Sequence, residues 1–400
     1  MEKEWNFDEI IDRSGTGSVK WEPSVLEAKF GKGREGLLPM WVADMDFFCP
    51  PVVKKAMESR LAHQIYGYTL QDKDHNSALI DWYRRRHGWT IQEEWVLNTP
   101  GVVPAVNYLV QRFSKPGDKI LIQPPVYYPF ARAIETGGRR VAENPLTIVQ
   151  GRYQMDFDDL DKKTADPRVK VAILCSPHNP VGRVWTREEL DCFGQICLDN
   201  NVLVFADEIH CDLVMPGHGH TCFQSIRDRF ANNAITANAA SKTFNLAGLS
   251  HSNLIVPNER IRSEMGLFFE TLGGNPRGGG TLFGAIAARA AYEGAEPWLE
   301  DLIDYLYENY RYLKQQLETR LPGVRIFDLE ATYLPWVDFS PLGLTGEKIA
   351  DIVEQKAGLA LDHGPWFGTG GEGFERVNIA CPRAVLERAV DALVQAFSSL

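Results

Sequence analysis

The sequence predicts an α/β protein organised around a mainly parallel β-sheet, and three features of the chain support this prediction. Apolar runs at 119–123, 169–175 and 201–205 have the length and composition of buried strands. Segments with helical periodicity separate these runs, as in successive βα units. Each run ends in polar residues, and the carboxyl ends of parallel strands are where such sheets bind ligands.

The composition is that of a globular protein large enough for two domains. Of the 400 residues, 44% are hydrophobic and 24% are charged, and the net charge of −11 argues against nucleic acid or an anionic membrane as the main partner. The acidic N-terminus lacks the apolar core of a signal peptide, and no apolar run approaches the roughly 20 residues that cross a bilayer. Seven scattered cysteines predict a reducing compartment, with the cytoplasm as the default.

The first part of the chain contains a candidate anion site. An extended N-terminal segment precedes helices predicted at 51–62 and 76–89. A short strand at 95–97 then leads through the turn 98–105 into a further helix. The first N–H groups of a helix have no partner inside it, so this turn offers a position for an anion, although many such turns bind nothing.

Three side chains with functional chemistry follow the buried strands. A proline-rich loop holds Tyr127 after the first strand, where an aromatic ring can stack on a planar cofactor. Two prolines bracket Asn179 and restrict its backbone, so that its amide can be directed at one point. Asp207 ends the third strand. All three residues therefore belong at the same edge of the predicted sheet.

Lys242 is the candidate reactive group. It follows a fourth short strand at 234–237 and is crowded by small and apolar residues. Removing an ammonium group from water lowers its pKa, and a neutral lysine can form a Schiff base with an aldehyde, of which pyridoxal phosphate is the commonest in biology. A lone lysine beside a helix start is usually a surface residue, but the three residues upstream favour the reactive interpretation.

Two further stretches are interpreted without a ligand. One contains potential metal ligands close together in sequence: His210, Cys211, His218, His220 and Cys222. Their spacing matches no standard zinc pattern, so no metal site is predicted. The other stretch, 273–284, is rich in glycine but lacks the preceding strand and the Gly-Lys-Ser/Thr ending of a phosphate loop, and is predicted to be a flexible connection.

The last hundred residues predict a second, smaller α/β unit after a long helix at 299–317. Its strands and helices are predicted at 324–327, 346–356, 376–383 and 383–398. We predict that residues 51–290 form a large domain and that 1–50 and 291–400 together form a small one. Arg376 lies on a buried strand, which leaves a substrate carboxylate and a structural salt bridge open as its partner.

With these residues the sequence resembles the fold type I pyridoxal-phosphate enzymes of the aminotransferase class I/II superfamily. The matching motifs are Asn179-Pro-Val-Gly182, Ala206-Asp-Glu208, Ser241-Lys242 with Gly248, and Arg376-Val-Asn-Ile379. Within the superfamily the chain looks most like the MalY/PatB-type carbon–sulfur β-lyases, usually called cystathionine β-lyases. That likeness depends on Lys20-Trp21, Met40-Trp-Val-Ala-Asp-Met-Asp-Phe47, Tyr66-Gly-Tyr68, Asp207-Glu-Ile-His210, Ser241-Lys-Thr-Phe-Asn245 and Ala380-Cys-Pro-Arg383.

The resemblance covers essentially the whole chain and implies a fold and a cofactor. The fold would be a mainly parallel seven-stranded sheet flanked by helices in the large domain, with a smaller α/β domain beside it. The cofactor would be pyridoxal 5′-phosphate. The resemblance also implies a homodimer whose active site lies at the subunit interface, acting on a small amino acid.

The resemblance implies a role for each candidate residue around the cofactor. Lys242 would hold pyridoxal phosphate covalently and move the Cα proton of the substrate. Asp207 would pair with the pyridine nitrogen, Asn179 would donate to the phenolic oxygen, and Tyr127 would stack on the ring. The phosphate would be bound by Val102, Val103, Ser241 and, from the partner subunit, Tyr66, which with Lys242 is a candidate catalytic residue.

Substrate binding and two departures from the aminotransferase pattern follow from the same resemblance. Arg376 would clamp the substrate α-carboxylate, with Ala43 and Asn179 beside it. His210 stands where many aminotransferases have a tyrosine that donates to the phenolic oxygen of the cofactor. Ser250 stands where many have an arginine that binds the phosphate. Both departures fit the lyase branch.

The expected reaction is β-elimination from an amino acid with sulfur at Cβ, so that cystathionine would give homocysteine, pyruvate and ammonia. The pocket for the sulfur side chain would draw on Trp366, Phe367 and 40–47. Two alternatives stay open. An aminotransferase would share every residue named above, and a regulatory protein that binds a transcription regulator could keep the fold.

Overall fold

Helices surround a central sheet in the computed structural model, which describes residues 4–69, 73–272, 274–275 and 277–398. Their bounds are α1 Pro23–Phe30, α2 Pro51–Leu61, α3 Lys73–His87, α4 Val102–Phe113, α5 Pro129–Thr136, α6 Phe157–Thr164, α7 Arg187–Asp199, α8 Asp228–Ala231, α9 Ala240–Thr243, α10 Glu259–Thr271, α11 Leu282–Gly294, α12 Glu296–Arg320, α13 Gly346–Asp351 and α14 Arg383–Ser398. A π-helical turn, Ile352–Lys356, continues α13. Among the described residues, no helix is both long enough and apolar enough to span a bilayer.

The strands form one large sheet and several small ones. Their bounds are β1 Leu38–Pro39, β2 Val96–Thr99, β3 Lys119–Ile122, β4 Arg140–Glu143, β5 Thr147–Val149, β6 Arg152–Gln154, β7 Val169–Cys175, β8 Leu203–Asp207, β9 Ala234–Asn238, β10 Ser252–Ile255, β11 Arg325–Ile326, β12 Trp336–Asp338, β13 Leu359–Ala360, β14 Asp362–His363 and β15 Phe374–Arg376. The large sheet has the strand order β2-β10-β9-β8-β7-β3-β4.

The large sheet is mainly parallel, as the sequence predicts. The pairs β9–β8, β8–β7, β7–β3 and β3–β4 are parallel, and only β10 runs antiparallel to both of its neighbours. Every residue of β9 is buried, and so is every residue of β7 except Lys170. This is typical of a parallel sheet whose two faces are both covered by helices.

The register of the sheet brings the predicted site residues to one edge. Cys175 at the end of β7 is opposite Asp207 at the end of β8, and Asp207 is opposite Ala237 near the end of β9. Asn179 follows β7 and Lys242 follows β9 within a few residues. Because adjacent strands lie about 4.8 Å apart, these side chains lie within reach of one small molecule.

A second sheet lies in the C-terminal part of the chain, with the order β11-β12-β15-β14. All three of its strand pairs are antiparallel, and α12, α13 and α14 accompany it in sequence. β1 pairs in parallel with β13, so the N-terminal segment joins the C-terminal part. This pairing supports the proposed division into 51–290 and a small domain from both ends, which stays a prediction.

Two stretches differ from their predicted structure. The predicted strand at 376–383 ends at Arg376, because the chain then turns to bind the N-terminal segment, with Asn378 N donating to Met40 O at 2.9 Å. The described part of the glycine-rich stretch is packed rather than a free connection. Gly279 N donates to Asn98 O at 2.9 Å, and α11 begins at Leu282. Residues 273 and 276 of this stretch lie outside the described residues.

Candidate active site

A cavity lies at the carboxyl edge of the large sheet, and nine residues singled out from the sequence line it. They are Ala43, Val102, Val103, Tyr127, Asn179, Asp207, His210, Ser241 and Lys242. They come from separate segments spread over two hundred residues of the chain, which only the register of the sheet brings together. Ser250 and His251, just before β10, also line the cavity.

Lys242 extends into this cavity from α9, which is anchored next to it. Thr243 Oγ1 donates to Asp212 Oδ2 at 3.0 Å, and the Phe244 side chain is fully buried among aromatic rings. These two contacts fix the backbone that carries the lysine. Lys242 Nζ donates to the backbone oxygen of Ala43 at 2.7 Å, so the amine is held but not paired with a carboxylate.

The electrostatic surroundings favour the neutral form of Lys242. Burial lowers the pKa of its ammonium group from 10.5 to about 8, and the positive charge of Arg376 lowers it further, whereas Asp44 and Asp207 oppose the change. This is the direction that the sequence predicts for a desolvated lysine. A substantial fraction of the amine is therefore available as a base near neutral pH.

The wall that faces Lys242 is the segment 40–47, which side chains from elsewhere hold in place. Asn245 Nδ2 donates to Met45 O at 3.0 Å and to Phe47 O at 2.8 Å. Asn378 Nδ2 donates to the carbonyls on either side of Ala43, at 2.6 and 2.7 Å. The Ala43 carbonyl is thereby fixed opposite the lysine.

Asp207 is a buried carboxylate at the end of β8. Its Oδ1 accepts a hydrogen bond from Ile209 N at 3.1 Å. Burial raises the pKa of Asp207 from 3.8 to about 7, against the opposing effects of the Ile209 N–H and of Lys242. A buried acid in this state is stabilised by a cationic partner, and a protonated ring nitrogen is one that fits.

Asn179 and Arg376 form a connected pair beside the cavity. Arg376 Nη1 donates to Asn179 Oδ1 at 2.9 Å, and Asn179 O accepts from Tyr127 N at 3.1 Å. Arg376 is not itself among the residues that line the cavity, but Asn179 is. Its buried Nε has no hydrogen-bond partner, which leaves one guanidinium donor for a ligand.

Asp362 is a partner of Arg376 that the sequence analysis missed. The two residues are directly opposite each other on β14 and β15, and their side chains form a buried ion pair. Burial raises the pKa of Asp362, while the charges of Arg376, Lys29 and His363 oppose the rise. The salt bridge and the substrate carboxylate, left as alternatives by the sequence, are therefore compatible roles for Arg376. No spacing or motif marks Asp362 in advance, because strands this short have no periodicity.

The start of α4 has the geometry of an anion site. Its first backbone hydrogen bond runs from Ala105 N to Gly101 O, which leaves the earlier N–H groups outside the helical pattern. Val102 and Val103 carry two of those groups and line the cavity, with Ser241 across from them. A dianionic phosphate fits these donors, so the residues present are suited to both ends of pyridoxal phosphate.

His210 and Ser250, where the chain departs from the aminotransferase pattern, both line the cavity. Burial lowers the pKa of His210 to about 3, and the charges of Lys242 and Arg376 act in the same direction. The imidazole is therefore neutral at physiological pH and can donate only one hydrogen bond. Ser250 has a left-handed backbone, with φ 51°, which turns the chain towards β10.

Tyr66 is the one predicted cofactor residue that lies away from the others. Its side chain is 52% exposed, its hydroxyl donates to Leu61 O at 3.1 Å, and its ring lies 5.9 Å from that of Phe283. It does not line the cavity of its own chain. Its role in the partner subunit's site stays a prediction.

The predicted side-chain pocket contains two aromatic residues in different settings. Phe367 is buried, packs against Trp336 and lies 5.1 Å from the guanidinium carbon of Arg376. Trp366 is partly exposed beside it. A further ring, that of Tyr333, was missed from the sequence, and its hydroxyl donates to the Ala43 carbonyl at 2.9 Å.

Potential metal ligands do come together below α3, although the sequence pattern predicts no metal. Two groups lie within ligand distance of one another: His87, Cys211 and Asp212, and Glu208, His220 and Cys222. Their polar atoms are engaged with the protein. Glu208 accepts from Phe223 N at 2.7 Å and pairs with His220 at 3.2 Å, and Asp212 accepts from Trp82 Nε1 at 2.9 Å. The absence of a metal site stays a prediction.

Comparison with known proteins gives the same assignment as the geometry. The family model for aminotransferase class I and II matches residues 37–393. The cystathionine β-lyase PatB of Bacillus subtilis is 42% identical over 395 residues, covering 98% of this chain and 100% of PatB. The protein MalY of Escherichia coli is 30% identical over 399 residues, covering 99% of this chain and 100% of MalY.

A solved structure with the same architecture is that of cystalysin from Treponema denticola, which contains a pyridoxal 5′-phosphate cofactor. It superimposes with a TM-score of 0.93 at 37% identity and covers 99% of each chain. These similarities confirm the family and the fold that the sequence predicts. The chain therefore belongs to the aminotransferase class I and II family and, within it, to the pyridoxal-phosphate-dependent carbon–sulfur lyases that include PatB.

Proposed function

We propose that this protein is a pyridoxal-phosphate-dependent carbon–sulfur β-lyase that acts on cystathionine or a related S-substituted cysteine. The reaction breaks the Cα–H and Cβ–S bonds, and the sulfur leaves with the bonding electrons and gains a proton. With one water consumed, the products are a thiol, pyruvate and ammonia. The observation that carries the proposal is one cavity holding Lys242, Asp207 and Asn179, in a chain 42% identical to a cystathionine β-lyase.

The proposed chemistry depends on the protonation of Lys242. Bound pyridoxal phosphate withdraws electrons from the substrate Cα and so stabilises negative charge there. Lys242, whose pKa is lowered to about 8 by burial, would accept the Cα proton as a neutral amine. The Ala43 carbonyl, 2.7 Å from Nζ, would orient the amine before and after this transfer.

The remaining residues would bind and orient. Asp207 would keep the ring nitrogen protonated, which its buried position favours because the pair neutralises both charges. Arg376 would hold the substrate α-carboxylate, positioned for this by Asn179 and Asp362. The N–H groups of Val102 and Val103 would bind the phosphate, and His210 would offer one neutral donor or acceptor.

We also propose a cytoplasmic homodimer in which Tyr66 completes the partner subunit's site. In its own chain the tyrosine is half-exposed and outside the cavity. Ile65 and Tyr68 beside it are also exposed, and such an apolar patch is typical of a contact surface. All seven cysteines are unpaired, which suits a reducing compartment.

Incubation of the cofactor-loaded protein with cystathionine tests the function. We expect equal amounts of thiol and pyruvate, and we expect Lys55→Ala, an exposed substitution on α2, to leave the rate unchanged. Loaded protein that releases neither product would contradict the proposal. Amino-group transfer to an added keto acid, without pyruvate formation from cystathionine, would identify an aminotransferase instead.

A further inference from the structure

Lys29 lies outside the cavity, on α1, in contact with three aromatic rings. Its Nζ is 3.6 Å from the ring centroid of Trp366, 5.2 Å from that of Tyr128 and 5.6 Å from that of Trp41. An ammonium group over such faces is attracted by their negative charge density, which limits the positions the flexible side chain adopts. Lys29 is nevertheless exposed, so a ligand can reach it.

The three rings connect Lys29 to the proposed substrate site. Trp41 O accepts a hydrogen bond from Arg376 Nη2 at 2.9 Å. The Tyr128 ring lies 5.6 Å from the ring of Tyr127, which lines the cavity. Lys29 is thus one aromatic ring beyond the residues proposed to hold the cofactor and the α-carboxylate.

The charge around Lys29 is not balanced. Among the described residues no carboxylate forms an ion pair with it, and the neighbouring Asp362 is bound to Arg376. Burial lowers the pKa of Lys29, Asp362 opposes this, and the positive charges of Arg376 and Arg132 lower it further. Arg132, on α5, also has no ion-pair partner in the described chain. An anion placed here would relieve the repulsion among these cations.

We propose that Lys29, assisted by Arg132, determines specificity by binding a carboxylate at the far end of the substrate's sulfur substituent. Arg376 would take the α-carboxylate, and the substituent would extend from Cβ along Tyr128 and Trp366 to Lys29. The substrate class is S-substituted cysteines whose substituent ends in a carboxylate. The inference deepens the proposed lyase function and depends on it.

A matched pair of substrates tests this role. S-(2-carboxyethyl)cysteine and S-(2-carbamoylethyl)cysteine have nearly the same shape, but only the first carries a distal charge. We expect Lys29→Met to lower kcat/KM for the carboxylate by roughly threefold to tenfold, the range of a partly exposed ion pair, mainly through KM. The carboxamide should be unaffected, and Lys29→Arg should retain most of the preference.

Two controls separate this role from a structural one. Lys32→Met removes a nearby exposed lysine that makes no contact with the three rings, and it should leave the ratio of the two substrates unchanged. The preference of the wild-type enzyme for the carboxylate should shrink at high salt, because exposed charges are screened.

Three outcomes would overturn the inference in distinguishable ways. Lys29→Met lowering both substrates equally would indicate loss of packing rather than of charge recognition. An unchanged preference would show that Lys29 does not contact the substituent. Loaded wild-type enzyme that releases thiol from neither compound would contradict the lyase function itself, and the specificity role with it.

Discussion

Lys242 and Asp207, on the large-sheet side of the active site, are buried without forming an ion pair, whereas Arg376 and Asp362, on the small-sheet side, are buried against each other. On the large-sheet side, burial moves the pKa of both groups towards neutrality, to about 8 for the lysine and about 7 for the acid. On the small-sheet side, each charge has a fixed partner.

The difference separates two tasks that one site must perform. Groups that take up and release protons need pKa values near the working pH, and burial without a partner provides them. A group that only recognises a carboxylate needs a constant charge in a constant place, and a buried pair provides that. The predictions below test whether this separation holds.

The largest expected effect follows from removing the base. Lys242→Ala should lower the rate of thiol release by ~10⁴-fold, equivalent to ~5.5 kcal/mol on the barrier. Steady-state assays of the cofactor-loaded proteins measure it, and circular dichroism should show an unchanged fold. Lys55→Ala serves as the exposed control. A loss below tenfold would mean that another group moves the proton.

The next effect concerns the small-sheet side. Asp362→Ala leaves the buried Arg376 without its ionic partner, and we expect the free energy of unfolding to fall by about 3–5 kcal/mol. Denaturant titration measures this, with Asp158→Ala on the surface of α6 as a control that should change little. Unchanged stability would show that the pair is not a structural requirement, which would remove half of the comparison.

The large-sheet side predicts the opposite sign. In the cofactor-free protein the pKa of Asp207 is about 7 when folded and 3.8 in the reference state. Its contribution to stability is therefore fully present below about pH 4 and is lost as the pH rises towards 7. Asp207→Asn should remove this loss and stabilise the cofactor-free protein at pH 8 by an amount on the order of 3 kcal/mol.

Two measurements make the Asp207 prediction specific. The difference in stability between the variant and the wild type should grow between pH 4 and pH 7 and stay flat above that range. The same variant, loaded with cofactor, should release thiol ~10²-fold more slowly, because the ring nitrogen loses its carboxylate. A pH-independent stability difference would contradict the assigned pKa.

The smallest effect tests the link between the two sides. Tyr333 donates to the Ala43 carbonyl that also accepts from Lys242. Tyr333→Phe removes one buried hydrogen bond and should cost about 1 kcal/mol of stability, with a lower pH optimum or rate if the amine shifts. Tyr307→Phe, on the partly buried face of α12, is the control.

The large sheet and its residues were predictable from sequence because their signals are local. Long apolar strands mark β7 and β8, and the residues that end or follow them, Asn179 and Asp207, are named by position alone. β10 has only four residues, two of them polar, and no pattern predicts a strand there or its antiparallel direction.

The small-sheet side could not be predicted in the same detail. Asp362 and Arg376 are paired by a register between strands of two and three residues, which depends on long-range packing. Tyr333 and Lys29 likewise reach the site through tertiary contacts with segments hundreds of residues away. Sequence reasoning gave the arginine a partner of the right charge but could not name it.

The antiparallel strand β10 has a consequence for what the site can hold. It lies between β2, which leads to α4, and β9, which leads to Lys242. Two interstrand steps therefore separate the helix that can grip one end of a molecule from the amine that can grip the other, a reach of about 10 Å. Main-chain hydrogen bonding fixes that reach, so evolution can exchange most side chains, down to the 30% shared with MalY, and still accommodate a cofactor of the same length.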